Sequence, residues 1–320
     1  MNTKEQSPLL LYTAPQITSP VTTQTIMRNV LIALAPSIVA AIVLFGLSAF
    51  ALILLSVASC VGLEYLWCRI RKTPNTAWDL SAAVTGVLLA FNVPSTLPLY
   101  MVVVGAFVAI VVCKELFGGI GRNVVNPAIT ARIFLAVAYP AAMTTFVAPH
   151  TMPFADVVSS ATPLASSAGP TTLVSLMLGT HAGVLGETSA IAILVGGIYL
   201  LVTRTITWHI PVAYVGTVCL MSLLTGRDPV AQVLMGGLLL GAFFMATDYT
   251  TTPTTTRGKV VFAIGCGLIT CLIRFWGNLN EGVAYSILFM NLLVPHIDAL
   301  TPNTPVGGER RKQANDGEGR

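Results

Sequence analysis

Ten apolar stretches, at about 29–47, 49–68, 79–93, 97–117, 126–143, 189–205, 209–225, 230–248, 258–276 and 281–297, alternate with polar or Pro/Gly breaks along the chain. Most approach the ~20 residues that an α-helix needs to cross a bilayer. Composition argues the same way: 54% of residues are hydrophobic, 9% are charged and the mean hydropathy is +0.79, where a soluble domain has about 25% charged residues. Thirteen acids and seventeen bases are too few to coat a sphere of this volume. A soluble globule is therefore excluded. The spacing predicts an all-α integral membrane protein with about ten transmembrane helices.

The third and fifth stretches are short for a straight crossing, which predicts helices that end early or break inside the protein. Bases at alternate ends of the spans set the orientation. Lys4, Arg28, Arg69, Arg71, Lys72, Lys114, Arg122, Arg132, Arg204, Arg257, Lys259, Arg310, Arg311, Lys312 and Arg320 fall on one side, and only Arg227 and Arg274 on the other. The positive-inside rule then puts both termini in the cytoplasm, and the net charge of +4 needs no acidic partner to explain it. The expected organisation is a cytoplasmic N-terminal segment (1–28), a first five-helix half (29–143), an extracytoplasmic loop (144–188), a second five-helix half (189–297) and a cytoplasmic tail (298–320). Residues 1–25 have no apolar h-region, so the first helix is expected to serve as its own insertion signal. No stretch joins clustered bases to exposed aromatics, which argues against nucleic acid. Cys60, Cys68, Cys113, Cys219, Cys266 and Cys271 form no CxxC and sit mostly in apolar runs. They read as small buried hydrophobes, with no metal site of the chain's own, although one could join a site shared with a partner.

Gly86–Pro94, closing the third stretch, aligns with Gly241–Tyr249, closing the eighth, at an offset of 155 residues. An acid stands near the start of each stretch, Asp79 and Asp228. Five spans separate the two, an odd number, so the copies would enter the membrane from opposite sides and make two inverted five-helix repeats. Chance similarity between Leu/Gly-rich helices is the rival explanation. In an inverted repeat the two short elements end near each other, where helix termini offer backbone groups to an ion or polar ligand.

The 144–188 loop contains no Lys or Arg and carries Asp156-Val-Val-Ser159-Ser160-Ala161-Thr162-Pro163-Leu164. Taken alone, Thr162 before Pro163 would be an ST-turn. The pattern resembles the flavinylation site of the RnfD/NqrB family, which joins the D subunit of the Rnf complex and the B subunit of the sodium-translocating NADH:quinone reductase. There the last Thr hydroxyl forms a phosphoester with FMN. The resemblance implies covalent FMN on Thr162, with Asp156, Ser159 and Ala161 completing the motif and Ser160 standing where the family usually has Gly. A covalent tether also suits a loop without a cation to hold a free phosphate.

Four further segments resemble the same family: Asp79 to Pro94, Gly118 to Ala128, Gly186-Glu187-Thr188-Ser189, and Phe244 to Pro253. The likeness runs from about residue 20 to 298, and the short stretch before the first span favours the Rnf branch. By their residues alone, Gly118 to Ala128 read as a tight turn and an N-cap. The resemblance implies a second, noncovalent flavin (riboflavin or FMN) near Gly121, Asn123 and Asn126. Glu187 and Thr188 read first as openers of the sixth helix. Alternatively Glu187 folds the loop back onto the membrane, and Thr188 is the second candidate acceptor.

Four acids are candidate ion ligands: Glu64 within the second span, and Asp79, Asp248 and Glu281 at span ends. Asp248, Asp79 and Glu281 form the expected ion pathway. Asp248 leads, because it ends the repeat element and precedes a Thr-rich segment that could complete an oxygen shell; interfacial pairing is the plainer role for all four. His209 and His296, at helix ends, read as interfacial or capping residues.

The family implies one membrane component of an electron-driven ion pump, in which electrons pass between ferredoxin and NAD while Na+ or H+ crosses the bilayer. Its partners would be the A, B, C, E and G subunits, membrane lipid and a flavin transferase, in a bacterial inner membrane. The chain has no nucleotide-binding Gly motif and no cluster cysteines, so it would be catalytically incomplete alone. A urea-transporter-like channel or carrier and a structural scaffold are the rival readings.

Overall fold

The computed structural model describes residues 21–147, 149, 173–187, 189–277 and 282–302. Every regular element among them is helical. In the first half α1 (Thr23–Phe45) and α2 (Leu47–Arg71) are separated only by Gly46, whose φ of 70° turns the chain. Then come α3 (Ser81–Phe91), α4 (Leu99–Phe107), which widens into a π-helical stretch over Val108–Glu115, α5 (Pro127–Ala138) and the single turn α6 (Pro140–Met143). A short helix, α7 (Leu173–Leu178), precedes α8 (Ala190–Val202), α9 (His209–Leu224), α10 (Pro229–Leu234) and α11 (Leu238–Leu240). A π-helical stretch over Gly241–Met245 extends α11, and α12 (Thr256–Trp276) and α13 (Val283–Leu300) complete the bundle.

Four of these, α1, α2, α12 and α13, are long and apolar enough to cross a membrane. Large apolar side chains lie outward on many elements, among them Val39, Leu54, Val137, Val202, Leu224 and Leu272. Lipid solvates such a surface at no hydrophobic cost, whereas water would drive it to aggregate. The chain is a membrane protein.

The third and fifth stretches are short as expected, 11 residues in α3 and 12 in α5. The eighth departs from the continuous helix that its hydropathy suggests. It stops at Leu234 and restarts at Leu238, because Gly236 and Gly237 take φ of 69° and 64°, a conformation that ends a right-handed helix and that only glycine adopts cheaply. The freed carbonyls find a donor in Arg274 of α12, whose guanidinium bonds the oxygens of Gln232 (2.7 Å), Met235 (3.0 Å) and Gly236 (2.9 Å). Small residues set the tightest packing. A Cβ on Gly196 of α8 would collide with the carbonyl oxygen of Ala33 in α1, and one on Gly86 of α3 would lie 2.7 Å from Cα of Val57 in α2.

Candidate functional site

A cavity with a largely apolar lining opens where α1, α3, α5 and α8 meet the π-helical ends of α4 and α11; spaces between the helices of a bundle are common small-molecule sites. Its wall brings together groups far apart in sequence: Ser81 and Thr85 of α3, Lys114, Asn123 and Asn126, Phe243 and Phe244, and Thr247 to Thr250 with Asp248.

Asn126 caps α5, its Oδ1 accepting from the N–H groups of Ala128 (3.0 Å) and Ile129 (3.3 Å), with Pro127 at the first helical position. Its Nδ2 donates to the carbonyl of Met245 at 3.3 Å, which ties the α5 entry to the α11 segment. The tight-turn and N-cap reading of Gly118 to Ala128 thus describes the local structure. Asn123 donates from Nδ2 to Thr250 Oγ1 at 2.9 Å, and its Oδ1 is buried at the cavity without a hydrogen-bond partner among the described residues. Gly121, at φ 86°, shapes the bend from outside the cavity lining.

Asp248 follows the α11 segment and accepts from Thr250 N (3.4 Å), Thr250 Oγ1 (3.1 Å) and Thr251 Oγ1 (3.3 Å). The Thr-rich segment thus folds its hydroxyls onto Asp248 as hydrogen-bond donors. Asp79 does not line the cavity. It anchors the start of α3 by accepting from Ser81 N (2.8 Å) and Ser81 Oγ (2.5 Å). Thr162, Asp156, Ser159, Ala161, Thr188 and Glu281 lie outside the described residues.

Glu187 does not cap the sixth stretch. Ser189 does so, accepting from Ala192 N, while Glu187 Oε1 accepts from the N–H of Gly236 at the α10–α11 break. Glu187 can reach that break because the residues before it are pinned in the interior: Leu185 and Gly186 lie along the end of α3, donating to the carbonyls of Val93 (3.3 Å) and Phe91 (2.9 Å). His209 stacks on Trp208 at the start of α9, with centroids 4.3 Å apart, and His296 lies within α13. The six cysteines are free thiols, all buried except the half-buried Cys219.

Three bases that the sequence offers only as topology signals turn inward. Lys114 is buried against Glu64, Nζ to Oε2 at 2.8 Å; Arg132 of α5 bonds Asn92 at the end of α3 (3.1 Å); and Arg274 holds the α10–α11 break. The clue for Lys114 is Glu64, an acid within an apolar span that calls for a partner. Asn92, whose Nδ2 also lies 3.7 Å from Met245 Sδ, brings the ends of the two short segments together.

Residues 10–307 match the model of the NQR2, RnfD, RnfE family. The chain is 43% identical over 313 residues to the D subunit of the Na(+)-translocating ferredoxin:NAD(+) oxidoreductase complex of Acetobacterium woodii, covering 95% of this chain and 97% of that one. It is 40% identical to the D subunit of the proton-translocating ferredoxin:NAD(+) oxidoreductase complex of Clostridium ljungdahlii (89% and 92% covered). To the D subunit of the ion-translocating oxidoreductase complex of Methanosarcina acetivorans it is 32% identical (92% and 96% covered). A match over nearly the whole length, to chains that are themselves nearly fully covered, makes this chain a member of the NQR2, RnfD, RnfE family.

Proposed function

We propose that this chain is the D-type membrane component of an ion-translocating ferredoxin:NAD oxidoreductase complex, in which it carries electrons on flavin while Na+ or H+ crosses the bilayer. The observation that carries this reading is the near-full-length likeness to the D subunits of two such complexes. One is named for sodium and the other for protons, so the family leaves the transported ion open. The A, B, C, E and G subunits of the complex supply the NAD site and the iron–sulfur clusters.

The covalent flavin is assigned to FMN on Thr162, in the Asp156–Leu164 motif. A second, noncovalent flavin is assigned to the cavity, and the residues there suit one. Phe243, Phe244 and Tyr249 offer aromatic surface, Asn123 offers a buried carbonyl oxygen, unpaired among the described residues, to a ring N–H, and the Thr85 hydroxyl, whose hydrogen goes to the Ser81 carbonyl, keeps its oxygen as an acceptor. Bound there, a flavin would supply one- and two-electron transfer; the chain orients it and sets the charge around it. Asp248 and its threonines stand beside the same cavity as the leading candidate ion ligand, with Asp79 and Glu281 assigned to the remainder of the path.

The topology that accompanies this function is ten spans in two inverted halves, with both termini cytoplasmic and the 144–188 loop outside, in a cell inner membrane. Two features support the repeat. α1 packs against α8 and α5 against α13, each element against its counterpart in the other half. The fourth element of each half also sends a cation to the third: Lys114 to Ser81, Arg274 to the α10–α11 break.

Flavin fluorescence on a denaturing gel tests the redox reading. A band that stays fluorescent after denaturation, with an FMN mass on the peptide spanning 144–188, supports it. A colourless band from cells that contain the flavin transferase would favour a solute channel or carrier instead.

A further inference from the structure

Glu64 and Lys114 form an ion pair withdrawn from solvent, with side chains 0% and 3% exposed. A pair this deep contributes little to holding helices together, since desolvating two charges offsets most of their attraction and apolar residues of equal volume would serve as well. Its presence calls for another reason, and its one-sidedness supplies it. Glu64 is enclosed: Oε1 accepts from Thr76 Oγ1 at 2.7 Å, Oε2 accepts from Lys114 at 2.8 Å, and the residue does not border the cavity. Lys114 does border it.

The ammonium of Lys114 donates to Glu64 Oε2 and to Ser81 Oγ at 2.6 Å, and Ser81 passes its own hydroxyl hydrogen to Asp79. An ammonium has three N–H groups. The described residues supply acceptors for two of them, and Lys114 lines the cavity. Asp248, the other charged residue lining the cavity, is engaged by Thr250 and Thr251. Lys114 is thus the cation on this wall, with Glu64 standing behind it.

We propose that Lys114 sets the electron affinity of the flavin held in this cavity, and that Glu64 is the counterion that attenuates its effect. The proposal rests on the noncovalent-flavin reading of the cavity. An electron entering a low-dielectric site adds negative charge, which a fixed cation at the wall stabilises far more than it would in water. Glu64 cancels part of that field, and only part, because Lys114 stands between it and the cavity. The electron comes from another redox centre of the complex and resides on the flavin. Lys114 changes neither its electron count nor its protons; it acts as a positioned charge. Asp79, Glu115 and Asp248 are nearby acids whose contribution is common to all the variants compared.

The test uses the full chain in detergent, in a Thr162→Ala background so that the noncovalent flavin reports alone, with Thr162→Ala as the reference. Midpoint potentials come from spectroelectrochemical titration and affinity from quenching of added riboflavin. The expected order of potentials, highest first, is Glu64→Gln, the reference, the double variant Lys114→Met/Glu64→Gln, and Lys114→Met. Lys114→Arg keeps the charge and stays near the reference. Should Lys114→Met fail to fold because it strands the Glu64 carboxylate, Glu64→Gln and the double variant still make the comparison, one shifting up and the other down. Affinity for reduced riboflavin, obtained from the oxidised-form affinity and the shift in potential through the thermodynamic cycle, weakens on the order of tenfold when the Lys114 charge is removed, as loss of a charge-assisted contact predicts. A merely structural pair would change yield without moving potentials in opposite directions. Coincident potentials overturn the proposal and leave the flavin reading standing; a reference chain that releases no flavin on denaturation overturns both.

Discussion

Nη1 of Arg132 donates to Oδ1 of Asn92 across 3.1 Å, so that the second turn of α5 grips the residue that caps α3. Both are buried, at 7% and 2% exposure. Asn92→Leu removes this acceptor from an interior guanidinium and should cost about 1.5–3 kcal/mol, the range for a hydrogen bond to a charged group. Asn92→Asp keeps an acceptor oxygen and should cost less. Thermal unfolding of the detergent-solubilised chain checks the order; equal losses would refute the role given to this bond.

Gly196 and Gly237 are glycine for different reasons, and alanine separates them. At Gly196 the added Cβ meets the Ala33 carbonyl, so Gly196→Ala forces α1 and α8 apart at about 1–3 kcal/mol. At Gly237 nothing lies within 4 Å of a Cβ, and the cost of Gly237→Ala is backbone strain alone, about 1 kcal/mol. Gly237→Asn, which tolerates positive φ, should recover much of that loss. No asparagine could rescue Gly196. Melting temperatures of the three variants in detergent measure the contrast, and equal losses at both glycines would sink it.

Asn126 has two duties. Asn126→Ala loses the N-cap of α5, worth about 1 kcal/mol, together with the bond to the Met245 carbonyl. Asn126→Asp retains the capping oxygen and gives up only the Nδ2 donor. Melting temperature should therefore fall further in the alanine variant than in the aspartate variant. The reverse order would mean that the link to Met245 matters more than the cap.

Thr162→Ala should abolish the flavin fluorescence that survives denaturation, whereas Thr188→Ala should retain it. In-gel fluorescence of the two variants beside the parent decides between the acceptors, and the opposite pattern would transfer the assignment to Thr188.

Much of this architecture is legible in the sequence because membrane segments are read from hydropathy alone. Each apolar stretch holds a helix, and the shortness of α3 and α5 follows directly from the lengths of their apolar runs. The break at Gly236-Gly237 is hidden because glycine counts as neutral in an apolar window, and its consequence is conformational. In the same way the N-cap role of Asn126 is local and visible, but its bond to Met245 spans more than a hundred residues and no spacing announces it. Lys114 and Arg274 look like markers of sidedness in the sequence, since a base near a span end is usually solvated by headgroups. Only the fold shows that each turns inward to satisfy a partner, Glu64 in one case and bare carbonyls in the other.

The clamp on the α10–α11 break also bears on how the chain is made. Synthesis delivers the interrupted segment before Arg274 emerges from the ribosome, so for that interval three peptide oxygens lack the donor that the folded chain gives them. A nascent chain ending short of α12 should accordingly be recognised by quality-control proteases, while one extending past Trp276 escapes them.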